Sequence, residues 1–151
     1  MSYIEQNLLP GEQIVYRTKL HWVIFISSAF FLFAGIVLII LSKGNREVLG
    51  LGGLLFLIGI ILGIVRWVAF KSSEFAVTDK RVLIKIGLLQ RHSLELLLNK
   101  IEGIGVDQPL QGRILGYGTI IVTGTGGTKE TFENITDPLE FRKQVQEKIP
   151  K

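Results

Sequence analysis

The sequence predicts an α+β, mainly β, membrane protein, in which a two-helix transmembrane hairpin precedes a small antiparallel β-barrel capped by a C-terminal α-helix. Two charge-free apolar runs, Trp22–Leu41 and Val48–Val65, flank one short polar segment. From Ser72 onward, apolar residues alternate with polar ones in short stretches separated by turn residues, as in half-buried strands. An amphipathic stretch with helix-start signals ends the chain. These three observations together define the fold class.

The chain is accordingly divided into three parts. Residues 1–21 form an N-terminal segment that is a candidate extra strand of the barrel. Residues 22–70 form the hairpin, with spans at 22–41 and 48–67, and residues 72–151 form the barrel domain. The mean hydropathy of +0.42 is high for a soluble protein and suits this mixture.

The N-terminal segment carries a turn signal at Pro10-Gly11 and then alternates over Gln13–Leu20. A strand here requires a partner, because an isolated strand leaves its backbone groups unpaired. The hairpin returns the chain to the side from which it left. We therefore expect this segment to pair with the barrel.

The two apolar runs have the length of membrane spans, since a helix needs roughly 20 apolar residues to cross a hydrocarbon core of about 30 Å. The first run has this length. The second reaches it if Trp67–Phe70 are included, although Arg66 interrupts it. We expect Arg66 to extend to the interface and the helix to end there. A buried hairpin in a soluble core is the alternative, but such long charge-free runs favour a membrane.

The charge distribution favours a cytoplasmic domain at the inner membrane. Residues 1–71 carry six Lys/Arg against three Asp/Glu, whereas residues 72–151 carry eleven against ten. The basic excess therefore lies beside the spans, which argues against a nucleic-acid-binding face. The polar loop Ser42–Glu47 holds two basic residues, and the outer flanks hold more. The positive-inside rule thus predicts a two-pass protein with both termini and the barrel in the cytoplasm.

Six short strands are predicted after the hairpin, which indicates a small barrel or sandwich. They cover Phe75–Val77, Val82–Ile86, Gln90–Leu98, Ile101–Asp107, Tyr117–Gly124 and Lys129–Ile135. Pro109–Gly116 reads as irregular structure or a single helical turn, and Gly126-Gly127 as a hairpin turn.

The final helix is predicted from its start signals and its apolar face. Asp137 is placed as the N-cap, Pro138 as the first helical residue, and Glu140 as part of a capping box. Phe141 and Val145, with Ile149, recur every four residues. This helix is expected to close one end of the barrel.

Several motifs between residues 73 and 147 resemble the membrane-flanked bacterial pleckstrin-homology-like (PH-like) family. They are Thr78-Asp79-Lys80-Arg81, Asn99-Lys100-Ile101, Gln108-x-x-x-Gly112-Arg113-x-x-Gly116-Tyr117-Gly118-Thr119, Gly124-Thr125-Gly126-Gly127 and Ile135-x-Asp137-Pro138. The resemblance implies a strongly bent seven-stranded barrel with a C-terminal helix, and it implies no catalytic role.

No catalytic, cofactor-binding or metal-binding set emerges from the sequence. Cysteine is absent, and His21 and His92 lack ligand partners at useful spacing, so both are interpreted as surface or interfacial residues. The loop Gly124–Lys129 departs from the phosphate-loop pattern and is interpreted as a hairpin turn. We therefore expect a protein that is not an enzyme and has no small-molecule substrate.

Two sets of residues are candidates for function. The first comprises the cations that flank the spans, Arg17, Lys19, Arg66 and Lys71. They are either lipid-headgroup contacts, worth on the order of 1 kcal/mol each, or ordinary flanking charges. The second set is Gly59 and Gly63, whose spacing suits close helix packing either within the hairpin or between protomers.

The leading functional hypothesis is a non-enzymatic membrane-anchored interaction or assembly module. Its expected partners are membrane lipids and either a second copy of the chain or another membrane protein. Exposed strand edges, the Gly124–Gly127 hairpin and the basic face of the final helix are its candidate contact surfaces. The alternative hypothesis is an anionic-lipid headgroup sensor that uses the four flanking cations.

Overall fold

A computed structural model describes residues 3–87 and 92–149. These residues divide into two compact units. The domain consists of the described parts of 1–21 and 72–151, and the hairpin consists of Trp22–Lys71. The chain therefore begins in the domain, leaves it for the hairpin, and returns. The predicted class is confirmed in its coarser terms, as two long apolar helices followed by antiparallel sheets and a capping helix.

Within the described residues there are seven strands and five α-helices. The strands are β1 Ile14–Thr18, β2 Glu74–Thr78, β3 Arg81–Ile86, β4 His92–Leu97, β5 Ile101–Asp107, β6 Tyr117–Gly124 and β7 Lys129–Thr136. The α-helices are α1 Tyr3–Gln6, α2 Ile26–Leu41, α3 Arg46–Ser72, α4 Leu110–Leu115 and α5 Pro138–Lys148. Short 3₁₀ turns cover Trp22–Phe25 and Leu98–Lys100. The predicted start of the third strand at Gln90 lies outside the described residues.

The hairpin differs from its prediction at the second helix. α3 begins before Val48 and runs through Arg66 to Ser72, so the expectation that it ends at Arg66 is wrong. No glycine or proline follows Arg66 to stop the helix, and Trp67–Phe70 continue it. At the other end, Asn45 caps α3, because its Oδ1 atom accepts the Glu47 amide at 3.0 Å.

The domain contains two antiparallel sheets, ordered β1-β2-β3-β4 and β5-β6-β7. β1 is the N-terminal strand, and it pairs with β2 so that Thr18 lies opposite Phe75. The hairpin is thus inserted between two adjacent, paired strands. Beyond β1, Leu20 forms a bridge with Ile135 of β7. The N-terminal segment therefore joins both sheets.

Aromatic side chains lie in the core between the sheets, among a larger number of aliphatic ones. Phe75 and Phe132 are almost completely buried, and their rings meet edge to face at 6.1 Å. Phe141 and Val145 of α5 are also fully buried, as the predicted apolar face of that helix requires. The phenol ring of Tyr16 on β1 packs edge-on against Phe141 at 6.4 Å. Residues from three parts of the sequence thus build one core.

The start of α5 corrects one detail of the prediction. Asp137 precedes the helix, and Pro138 is its first residue, but the Asp137 side chain makes no capping hydrogen bond. The backbone amide of Asp137 donates to the carbonyl of Gly116 at 3.0 Å. Because this amide is already engaged, it is not available to Glu140, and the predicted capping box is wrong.

Candidate functional site

The two helices of the hairpin are long and apolar enough to cross a membrane. The first covers Trp22–Leu41, 20 residues that include the 3₁₀ turn before α2, and the second is α3, with 27 residues. Each has a mean hydropathy of 2.8, and only 17% and 11% of their most apolar windows are buried. A core helix of a soluble protein would be mostly buried. Here Phe30 and Phe33 of α2 are 66% and 70% exposed. These helices therefore present large apolar side chains outward, as lipid-facing helices do.

Glycines bring α2 and α3 into close contact. A Cβ atom added at Gly35 would lie 2.6 Å from the Phe56 nitrogen, and one at Gly52 would lie 2.9 Å from the Ile39 nitrogen. One at Gly59 would lie 2.8 Å from the Leu32 nitrogen, whereas Gly63 has only an ordinary contact at 3.9 Å. Of the two candidate packing residues, Gly59 thus lies at a tight contact within the hairpin and Gly63 does not.

The sequence reasoning missed Gly35 and Gly52 as packing residues. Gly52 and Gly59 are seven residues apart, which is two helical turns, so both face α2. The G-x-x-x-G spacing drew attention to Gly63 instead. A search for glycines at a seven-residue spacing would have found the observed pair.

The four candidate lipid-contacting cations fall into two pairs, one in each compact unit. Arg17 lies on β1, and its guanidinium group pairs with Glu5 at 2.9 Å on the exposed surface. Lys19 follows β1 and is exposed. Arg66 and Lys71 lie near the end of α3, where five residues of helix separate their directions by about 140°. The Lys71 ammonium group sits over the Trp67 ring, 5.4 Å from its centroid.

A groove of about 350 Å³ lies beside the first of these pairs, within the domain. It is lined by Tyr16, Arg17, Thr18, Lys19, Thr136 and Asp137. Burial and the carboxylates of Asp137 and Glu140 raise the pKa of the Tyr16 hydroxyl, which therefore stays protonated. Because the lining carries both signs of charge, the groove resembles an ordinary polar surface more than a polyphosphate cup.

A buried ion pair connects the N-terminal segment to the β2–β3 turn. The Glu12 side chain is completely buried, and its two oxygens accept hydrogen bonds from the Arg81 Nε and Nη2 atoms, both at 3.0 Å. The Thr78 hydroxyl and the Leu9 amide also donate to this carboxylate, each at 2.7 Å. Arg81 reaches Glu95 at 2.7 Å with Nη1. We call Glu12, Thr78, Arg81 and Glu95 the polar lock.

The polar lock has a structural role. Burial alone would raise the pKa of Glu12, but the hydrogen bonds from Arg81, Leu9 and Thr78 lower it to about 2. A carboxylate held ionised by so many donors is a poor base and has no lone pair left for a substrate. Sequence reasoning missed this pair because 69 residues separate Glu12 from Arg81.

The motif Gln108–Thr119 builds a rigid corner between β5 and β6. The Gln108 side-chain amide donates to the carbonyls of Gly112 and Tyr117, at 3.0 and 3.1 Å. A Cβ atom at Gly112 would overlap the Tyr117 carbonyl oxygen, and Gly116 ends α4 with a φ of +79°. Gly112, Gly116 and Gln108 are therefore explained by the local backbone geometry of this corner, without a functional role. They leave Leu110, Arg113 and Ile114 of α4 facing outward.

Within the described part of the chain, no group of three His, Asp or Glu side chains is placed to hold a metal ion. His21 differs from its prediction as a surface or interfacial residue, because it is buried and its ring stacks on Tyr117 at 5.3 Å. The Ser73 hydroxyl is buried without a hydrogen-bond partner. The side chain of His92 lies outside the described residues.

Comparison with known proteins gives one family and one related structure. Residues 20–149 match the bacterial PH domain family. A crystal structure of a DUF1696 family protein with a pleckstrin-homology domain, from Shewanella loihica, shares 15% identity with this chain. The likeness has a TM-score of 0.41 and covers 52% of this chain and 71% of that one. No curated protein matches the sequence.

Proposed function

Because this chain belongs to the bacterial PH domain family, we propose that it is a non-enzymatic interaction or assembly module anchored at the inner face of the bacterial membrane. In this proposal the hairpin spans the membrane, and both termini and the domain are cytoplasmic. The domain associates with a second copy or docks on another membrane protein. Proteins of this family are usually membrane-associated, which supports the anchoring.

The observation that carries the proposal is the insertion of the hairpin between β1 and β2. Thr18 and Phe75 are paired, and each lies within four residues of the hairpin. The first apolar helical segment begins at Trp22, directly after His21, and α3 ends at Ser72, two residues before β2. Two short connections, with no long linker, therefore tie the domain to its anchor. Such a domain acts at the membrane surface.

The proposed orientation rests on the flanking charges. Arg17, Lys19, Arg66 and Lys71 flank the outer ends of the two helices, whereas the loop between the helices holds only Lys43 and Arg46. The larger number of cations at the outer ends favours those ends in the cytoplasm.

The surfaces available to a protein partner lie on the domain. In the described residues, β4 pairs on one side only, with β3. The β6–β7 hairpin at residues 125–128 is exposed, and so is Lys143 on the outer face of α5. An unpaired strand edge and an exposed hairpin are common sites of protein association.

Extraction and native mass spectrometry test this proposal. The full-length chain should resist extraction by alkaline carbonate, and reporters fused to either terminus should be cytoplasmic. Native mass spectrometry of the chain released from nanodiscs should then show a defined multimer or a stoichiometric protein partner. Extraction by carbonate would contradict the anchoring, and a monomer without a protein partner would contradict the assembly role.

The cations that flank the two helices favour one alternative, an anionic-lipid headgroup sensor that uses Arg17, Lys19, Arg66 and Lys71. Its test is charge reversal by Arg66→Glu with Lys71→Glu, compared with Lys43→Glu with Arg46→Glu in the loop. A sensor would lose its preference for anionic lipid only in the first variant. An assembly module would keep its complex size in both, with the terminal reporters verifying an unchanged orientation.

A further inference from the structure

The short helix α4 exposes two large apolar side chains to an unusual degree. Leu110 is 77% exposed and Ile114 is 84% exposed. Among the described residues, both exceed the most exposed apolar side chain of the hairpin, Ile40, at 71%. Leu110 and Ile114 are four residues apart and therefore share one face of the helix. We call Leu110, Arg113 and Ile114 the α4 apex.

This exposure belongs to a segment that is attached to the sheet by hydrogen bonds and close packing. Gln108 binds two carbonyls of the corner, and Gly112 packs against the backbone at Tyr117, so α4 is fixed to the sheet. Withdrawing a leucine or isoleucine side chain from water is favourable, because it removes apolar surface from the solvent. A rigid corner that holds two such side chains in water forgoes this stabilisation unless a second surface covers them.

The α4 apex lies beside the point where the chain leaves the domain. The His21 amide donates to the Asn134 carbonyl at 2.7 Å, and the His21 ring stacks on Tyr117. Tyr117 is separated from α4 only by Gly116. The next residue after His21 is Trp22, where the first apolar helical segment begins. In the proposed function this exit point faces the membrane.

The charge of this segment suits an anionic surface. Residues 108–116 contain one cation, Arg113, and no acidic residue. Arg113 is exposed on the same short helix as the two apolar side chains. Apolar side chains combined with a basic one are the composition of segments that lie in the lipid interface.

We propose that the α4 apex is a lipid-contacting wedge. Leu110 and Ile114 insert into the boundary between headgroups and acyl chains of the leaflet that holds the anchor, and Arg113 contacts lipid phosphate. This inference rests on the proposed membrane anchoring and adds a third point of attachment to the two chain connections.

Site-specific quenching tests the wedge, and the absence of cysteine makes labelling simple. An Ile114→Cys variant of the full-length chain is labelled with an environment-sensitive fluorophore and placed in nanodiscs of phosphatidylglycerol and phosphatidylcholine. The matched control is Leu97→Cys. Leu97 is also an exposed apolar residue, at 48%, but it pairs with Arg81, at the end of its sheet remote from Ser72.

We expect spin-labelled lipid to quench the label at position 114 several-fold more than the label at 97. Dissolved iodide should quench the two labels in the opposite order. A Leu110→Cys variant should repeat the result, which guards against an effect of one label.

Two results would overturn the wedge while leaving the anchoring intact. If iodide quenched positions 114 and 97 equally, the α4 apex would be in water. If neither quencher reached position 114, a protein surface such as a second copy would cover it. Failure of the anchoring itself would be seen separately, as release of the unlabelled chain by alkaline carbonate.

Discussion

The domain and the hairpin distribute their side chains in opposite ways. In the domain, Phe75 and Phe132 are buried and face each other across the core. In the hairpin, Phe30 and Phe33 point outward, and the buried positions of α2 are Ser28 and Gly35. One chain thus buries its largest residues in one unit and its smallest in the other.

This difference in which side chains are buried is the one expected if the domain is surrounded by water and the hairpin by lipid. In water, removing an aromatic ring from solvent is the main source of stability. In lipid the surroundings are as apolar as the ring, so helices associate through close backbone packing at small residues instead. The contrast therefore supports the proposed anchoring independently of helix length.

The largest expected effect in this comparison comes from truncating a phenylalanine in each unit. Phe132→Ala should lower the free energy of unfolding of the domain by about 3–5 kcal/mol, because it leaves a cavity in the core. Phe33→Ala should change the stability of the hairpin by less than about 1 kcal/mol, because lipid replaces the lost ring. Hydrogen exchange of the full-length chain in nanodiscs, measured at increasing urea concentrations, gives the stability of the domain and of the hairpin separately. Equal losses in the two units would break the comparison.

A second expected effect is a pH dependence of the stability of the domain, which arises from the buried carboxylate of Glu12 in the polar lock. The pKa of Glu12 lies at about 2 rather than the usual 4.5, so the folded domain favours the ionised form. This stabilisation is fully present above pH 4.5 and is lost as the pH falls toward 2. Its full size is about 3 kcal/mol, from the difference between the two pKa values.

Glu12→Gln is the variant that isolates this carboxylate. It should be less stable than the natural chain at neutral pH, and the gap should narrow to a small remainder as the pH falls to 2, since the Glu12 carboxylate takes up a proton over this range. Urea titrations of the domain at several pH values measure the gap. A gap that stays constant down to pH 2 would show that the ionisation of Glu12 contributes nothing.

A third, smaller effect is expected on helix packing in the hairpin, where two adjacent glycines of α3 should respond differently to substitution by alanine. Gly52→Ala should destabilise the packing of α2 on α3 by about 1–3 kcal/mol, because the new methyl group would meet the backbone at Ile39. Gly53→Ala is the matched control, since nothing lies within 4 Å of its Cβ position. Resistance of the hairpin to unfolding by sodium dodecyl sulfate distinguishes them. Equal behaviour of the two variants would mean that α2 and α3 do not pack through Gly52.

The sequence predicted the parts of the structure that local patterns determine. Periodicity of two located β5 at Ile101–Asp107 and β6 at Tyr117–Gly124 with the bounds that the structure has. The alternation at Gln13–Leu20 indicated the N-terminal strand, observed as Ile14–Thr18. These features depend on neighbours along the chain, which a sequence displays directly.

Features that depend on distant residues were not predictable in this way. The polar lock joins Glu12 to Arg81, and no local sequence pattern at either residue predicts the other as its partner. The buried position of His21 depends on Tyr117, which is distant in sequence. The exposure of Leu110 and Ile114 could not be read from their type, because apolar residues are usually interpreted as core.

The insertion of the hairpin between β1 and β2 has a consequence for biosynthesis in the proposed membrane setting. β1 leaves the ribosome before the first apolar helix, and its partner β2 follows only after the second. If the hairpin spans the membrane as proposed, the domain would complete its first sheet only after both helices had been inserted and the chain had returned to the side of β1. A nascent chain with only one helix across the membrane would leave β1 and β2 on opposite sides. In that setting, a folded domain would report that both helices had been inserted.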